Sequence, residues 1–324
     1  MSVIAIDIGA TKISSAIFSP DGEMSSFRKR LLNKREGREV GVLITTILDE
    51  LLTTARRKKI SIDSIGVCVP GIVNSKTGNA WAPNIPGWES FPLLRVLRKC
   101  VYDSSIDIFI ESDRSCYLYG EIWKGAAKGC HSAVFIAVGS GIGAGIMIDN
   151  RFLHGAGDII GATGWMALKS PYKSEYKECG CFEYYASGNG IEARTKDLVR
   201  SKKDYRGILR QKPITRITAQ DVFVALEEND PIAQQIINQA IKYWGMAAAN
   251  IVSLLNPEKI VWGGGVFGPA AKLIPEIYKE SCKWAQPIGI EQVEYVASQL
   301  SGNAGLVGAA YLAIKSKNDK DENL

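Results

Sequence analysis

Ile4-Ala5-Ile6-Asp7-Ile8-Gly9-Ala10-Thr11-Lys12 opens the chain, and Phe135-Ile136-Ala137-Val138-Gly139-Ser140-Gly141-Ile142-Gly143 answers it near the middle. Each is an apolar strand running into small residues. After the first, Ile13-Ser14-Ser15-Ala16-Ile17-Phe18 reads as a second strand closed by the turn residues Ser19-Pro20-Asp21-Gly22. After the second, with 139–145 read as a glycine-rich turn, Ile146-Met147-Ile148 is a strand stopped by Asp149-Asn150. The halves open alike, an internal duplication of far longer period than a solenoid repeat. Working outward, 40–52 carries helical spacing, 65–69 is a buried strand ending at Pro70-Gly71, and 106–110 runs into Glu111-Ser112-Asp113. Residues 114–125 read as a helix. In the second half 232–255 reads as a long apolar helix, whole or in two pieces, and 259–262 is a strand before Gly263-Gly264-Gly265. Residues 269–284 and 304–314 are helical, 167–180 is a polar loop, and the charged tail 315–324 is expected to fray. Strands alternating with helices give an α/β fold.

Length and composition bound the function. The chain has 324 residues, 46% hydrophobic and 23% charged, which suits two domains and excludes bulk disorder. No apolar run is long enough to span a bilayer, so no membrane partner is expected. Met1 is followed at once by strand-like residues, so no signal peptide is expected, and seven cysteines, an odd number, point to free thiols in a reducing cytoplasm. The net charge of +5 is spread out, with short runs at Arg56-Arg57-Lys58-Lys59 and Lys202-Lys203. No basic stripe interleaved with aromatics appears, and no nucleic-acid partner is expected.

Three glycine sites carry the chemistry. In Asp7-Ile8-Gly9-Ala10-Thr11-Lys12 the small residues let backbone N–H groups approach a polyphosphate, Thr11 adds a hydroxyl and Lys12 a charge. Asp7 could hold magnesium through water. Gly139-Ser140-Gly141-Ile142-Gly143-Ala144-Gly145 is followed by strand rather than helix, against a dinucleotide loop and for a second phosphate-gripping hairpin. Gly263-Gly264-Gly265-Val266-Phe267-Gly268 follows a strand, but too little chain remains for a Rossmann sheet. It reads either as a platform for an adenine ring and ribose or as a plain helix-initiating turn. Two facing hairpins can cradle a nucleoside triphosphate.

These motifs, with Val69-Pro70-Gly71, Asn84-Ile85-Pro86-Gly87-Trp88, Ser112-Asp113 and Gly180-Cys181-Phe182-Glu183, resemble those of ROK sugar kinases of the actin-like ATPase superfamily. The resemblance covers nearly the whole chain. It implies an α/β, two-domain actin-like ATPase (ribonuclease H-like) fold with an interdomain cleft. The small domain would hold 1–116 plus 303–324 and the large one 117–302. It also implies ATP and magnesium, a sugar substrate and a homodimer. Asp113 matches the general base that takes the proton of the attacking hydroxyl. Gly71, Asn84, Ser112, Asp113, Trp165 and Glu183 match the sugar site. Asp7, Gly9, Ala10, Thr11, Lys12, Ser140, Gly141, Gly143, Gly264 and Gly265 match the nucleotide site, with Asp7 on magnesium.

Two departures stand out. Where the family has Gly-Glu-x-Gly-His this chain has Gly161-Ala162-Thr163-Gly164-Trp165, and Ser112 replaces an asparagine. The anomeric side of the sugar site is therefore more apolar, which implies altered specificity, with a primary hydroxyl of a hexose-like sugar, sugar derivative or cyclitol presented to Asp113. Trp165 either stacks on the substrate or fills space. The family's zinc motif keeps only Cys181 with Cys179 nearby, while Ser174, Tyr176 and Trp165 stand at former ligand positions. Zinc is expected to be absent, and His131 and His154 are read as structural. The alternative is a sugar-binding sensor with weak or lost kinase activity. A DNA-binding repressor is not expected, since Asp7 follows Met1 so soon.

Overall fold

The computed structural model describes residues 2–321. Met1, Glu322, Asn323 and Leu324, the extremes of the expected small domain and of the expected charged tail, lie outside the described residues. The chain divides into two compact units. The first takes the residues up to Lys128, the segment His154–Ile160 and everything from Gly302 onward; the second takes Gly129–Leu153 and Gly161–Ser301.

The first unit begins with β1 (Ser2–Ile8), β2 (Lys12–Phe18), β3 (Met24–Leu31), α1 (Gly37–Arg57) and β4 (Ile62–Val69). A small hairpin, β5 (Ile72–Val73) and β6 (Ala80–Trp81), leads to α2 (Leu93–Arg98), β7 (Asp107–Ser112) and α3 (Asp113–Lys124). The sheet order is β3-β2-β1-β4-β7, antiparallel across the first three strands and parallel beyond β1. Ile65, Val67 and Val69 of β4 share one core with Ile44, Leu48 and Leu51 of α1. On the opposite face Gly66 meets the last helix, α11 (Ala304–Asp321): a Cβ on Gly66 would lie 1.8 Å from the Ala309 carbonyl oxygen. The helix therefore lies directly on the strand.

The second unit holds β8 (Ala133–Val138), β9 (Ile142–Ile148) and β10 (Arg151–Phe152), then α4 (Tyr176–Cys179), α5 (Cys181–Ala186), α6 (Gly188–Ser201), α7 (Ala219–Glu227) and α8 (Pro231–Leu255). It closes with β11 (Lys259–Gly263), α9 (Ile274–Ser281), α10 (Pro287–Gln292) and β12 (Glu294–Ala297). Its sheet order, β10-β9-β8-β11-β12, repeats the first strand for strand and direction for direction.

Several sequence expectations are corrected. The glycine-rich stretch is not a turn throughout: β9 starts at Ile142, so the turn is only Gly139-Ser140-Gly141, and Gly143 pairs with Ala137 inside the hairpin. Helix α8 is unbroken, capped by Asp230 accepting from the Ile232 and Ala233 N–H groups and ended by Asn256 in the left-handed region. Residues 315–321 continue α11 rather than fray. Lys317 and Lys320 reach Asp107 at 2.9 and 2.7 Å and secure that end. Residues 269–284 form a 3-10 turn and a short α-helix, and 167–180 contains the single turn α4. No helix among the described residues is long and apolar enough to cross a membrane.

Candidate active site

The first unit gathers Asp7, Gly9, Ala10, Thr11, Lys12, Gly71, Asn84, Ser112 and Asp113. Between β1 and β2 the Gly9 N–H donates to the Lys12 carbonyl at 2.8 Å, and the Thr11 carbonyl accepts the Leu32 N–H at 2.8 Å. Ala10 and Thr11 are left exposed at the tip. They share a cavity of about 500 Å³ with Asn84, Lys34 and Arg35. Asn84 is held there because Gly37 N–H donates to the Pro86 carbonyl at 2.8 Å and Trp88 Nε1 donates to the Gly37 carbonyl at 3.0 Å. Gly71 fits where it does because a Cβ would lie 2.1 Å from the Trp81 carbonyl oxygen.

Asp7 sits at the end of β1. Burial raises its pKa, opposed by a hydrogen bond from the Cys68 thiol and by the charge of Lys12. Gly305 of α11 makes the close approach possible, since a Cβ there would be 2.9 Å from the Asp7 carboxyl carbon. A carboxylate buried with so little compensation suits a cation, so Asp7 fits a role on magnesium.

Asp113 is the first residue of α3. Ser112 is the N-cap, its hydroxyl accepting the Ser115 N–H at 3.4 Å. Asp113 Oδ1 accepts the Arg114 N–H at 2.9 Å and Tyr117 Oη donates to Oδ2 at 3.5 Å. Burial pushes its pKa up to about 6; the Arg114 charge and N–H oppose this, Asp7 adds to it, and Tyr117 opposes it. A carboxylate so placed can be ionised near neutrality and still hold a proton well.

The second unit brings together Ser140, Gly141, Gly264, Gly265, Trp165 and Glu183, with Gly143 in the adjoining strand. Gly264 has φ 88°, and a Cβ on it would lie 2.5 Å from the Val138 carbonyl oxygen, so the third glycine site packs on the end of β8 beside the second. Gly139, Ser140 and Gly265 line a cavity of about 220 Å³ together with Asn189, Gln220 and Phe223. The last three escape a sequence reading because they come from helices of ordinary spacing. Glu183 Oε2 accepts the Ile142 N–H at 2.7 Å, tying α5 to the start of β9; burial raises its pKa against that bond. It is not the freely solvated carboxylate that its place at a helix start suggests. Trp165 is 56% exposed, so it does not act as a space filler.

The former zinc region is built differently. Tyr176 and Tyr185 share a hydroxyl–hydroxyl bond of 2.8 Å, Tyr185 stacks on Tyr243 at 4.5 Å, and Tyr184 meets Tyr185 edge-on at 4.9 Å. Arg194 lies 3.8 Å over the Tyr184 ring. Among the described residues no group of three or more His, Cys, Asp or Glu side chains is arranged to hold a metal. The donors at Cys179 and Cys181 do not fit a four-ligand zinc.

Two like sheets, each with a short glycine-containing turn between its first two strands, define a duplicated α/β fold. The ROK family model matches residues 3–316, and the chain belongs to the ROK family. It is 30% identical to a glucokinase of Halalkalibacterium halodurans, over 98% of this chain and 97% of that protein. Among solved structures it is similar to a ROK hexokinase of Thermus thermophilus, with 26% identity, TM-score 0.79 and coverage of 98% of this chain and 100% of that one. A glucokinase of Streptomyces griseus in complex with glucose and AMPPNP has 25% identity, TM-score 0.75 and coverage of 97% and 100%. The fold is that of the actin-like ATPases.

Proposed function

We propose that the protein is an ATP-dependent sugar kinase that phosphorylates a hydroxyl, most simply a primary one, of a hexose-like sugar, sugar derivative or cyclitol. The observation that carries this reading is Asp113, a carboxylate at a strand–helix junction with its pKa pushed up to about 6 by burial, in a unit that also presents the Gly9–Lys12 turn. Asp113 accepts the proton of the acceptor hydroxyl as the bond to phosphorus forms; Asn84 orients the ring, its side-chain amide donating and its carbonyl accepting. In the second unit Ser140, Gly141, Gly264 and Gly265 receive the nucleotide, and Trp165 and Glu183 the far side of the sugar. Magnesium, held through Asp7, would neutralise phosphate charge. Glucokinase relatives and a relative bound to glucose and AMPPNP support the class. The exposed indole of Trp165, where the family has an imidazole, supports altered specificity. The test is a coupled assay over glucose, modified hexoses and cyclitols. We expect a better substrate than glucose to emerge; kcat/KM highest for glucose would remove the specificity claim, and no turnover on any acceptor would remove the kinase reading.

A further inference from the structure

Glu111, the residue before Ser112-Asp113, faces two ways. Its Oε1 accepts the Ser112 N–H at 2.7 Å, and its Oε2 lies 2.6 Å from His154 Nε2. His154 belongs to the segment His154–Ile160, which packs with the first unit although second-unit sequence flanks it on both sides. The segment is tied down again by Asp158, whose Oδ2 accepts the Ser75 N–H at 3.0 Å and the Ser75 hydroxyl at 3.2 Å. Beside the pair runs a cavity of about 450 Å³ lined by Glu111, His154, Asp158, Ser75 and Tyr119, so water reaches it. The Asp113 carboxylate itself accepts from the Arg114 N–H and the Tyr117 hydroxyl, both on α3. The first turn of that helix begins at Ser112, which is placed by its register opposite Val69 and by its own cap on Ser115, and whose amide is held by Glu111.

We infer that the Glu111–His154 ion pair is a positioning device for Asp113, with His154 as the positioning residue that acts through Glu111. The inference rests on Asp113 being the base proposed above. The imidazolium pins one oxygen of Glu111 so that the other stays on the Ser112 amide. Among the described residues no other cation lies within ion-pair distance of Glu111. The groups facing the pair are Asp158 on the same segment, Tyr119 and Cys116 on α3, and the uncharged Ser75 and Ser316. Burial pushes the tyrosine and the thiol up, so both stay neutral. The hydrogen bond to Glu111 raises the His154 pKa, desolvation opposes it, and the charges of Glu111 and Asp158 raise it further. The pair is thus complete on the acid side and loosens as pH rises through the His154 pKa.

The test uses the full chain. It has two histidines, so His131→Gln assigns the remaining imidazole signal by NMR. We expect the Ser112 and Asp113 amide signals to move with the same midpoint as the His154 ring. His154→Gln should remove that movement and lower kcat by roughly 10- to 100-fold, the scale for a displaced reacting group, with a smaller change in the sugar KM. It should also abolish the alkaline fall of kcat, and Glu111→Gln should reproduce all of this. Amide signals blind to the His154 titration, or an unchanged kcat and alkaline limb in both variants, would overturn the inference. If the wild-type chain transfers no phosphoryl group at all, the kinase reading fails while the NMR arm still decides the pairing.

Discussion

The two sheets share one topology and divide the chemistry unequally. In the first, the turn between the leading strands is flanked by Asp7 and Lys12, and the strand at the far edge, β7, runs directly into Asp113 at the start of α3. In the second, the equivalent turn is Gly139-Ser140-Gly141, with no charged side chain of its own, and the far edge strand β12 carries no equivalent carboxylate at its end. The carboxylates near it come from helices: Glu183 of α5 is hydrogen-bonded to backbone, and Glu192 of α6 is paired with Lys196. A duplicated scaffold has kept its geometry in both copies. Charge sits in the first, and in the second glycine lets backbone segments approach each other. On the proposed assignment the first unit supplies the reacting groups and the second the backbone that receives the nucleotide.

That division can be broken by substitution. The largest effect belongs to Asp113→Asn, which keeps shape and removes the base. Turnover should fall by about 10²- to 10⁴-fold with nucleotide affinity nearly unchanged. In the wild type, kcat/KM should rise with pH through a midpoint of about 6, since Asp113 must lose its proton before it can act and burial holds that proton longer than usual. A flat profile from the acid side, or near-normal turnover in the variant, would move the base elsewhere.

Gly264→Ala probes the other half. The added Cβ meets the Val138 carbonyl at 2.5 Å in a left-handed backbone position, which costs about 1–3 kcal/mol of strain. Weaker AMPPNP binding with a sugar affinity close to wild type is the expected calorimetric result. Equal loss for both ligands would say that shape and charge are not segregated.

The smallest effect tests whether the tyrosine cluster braces the loop at 167–180. Tyr176→Phe loses the hydroxyl bond to Tyr185 and should lower stability by about 1 kcal/mol, read from denaturant midpoints. The purified wild type should contain no stoichiometric zinc by elemental analysis. One zinc per chain, lost in Cys181→Ser, would show that the tyrosine cluster is not the brace.

Strands buried on both faces, such as β8, were legible from apolar runs alone, and β8 ends at Val138, where the apolar run gives way to glycine. The edge strand β3 was not, because its exposed residues, Arg28, Lys29 and Arg30 among them, give no apolar run to read. The glycines of β9 misled in the opposite sense: ladder pairing with β8 overrides their preference for turns. The glycine motifs and Asp113 could be picked out because each is local in sequence. Bonds such as Glu183 to Ile142 or His154 to Glu111 join residues about 40 apart, and nothing in spacing announces them.

The seating of α11 on β4 also bears on how the molecule is made. The ribosome completes the first sheet early, but the helix that covers its second face emerges only after the whole of the second sheet has been synthesised. Through that interval Gly66 and its neighbours on β1 and β4 lack α11, and of that face α3 covers only the part it meets near Cys68. Nascent chains stalled before Ala304 should therefore be caught by holdase chaperones, and release should coincide with the arrival of α11.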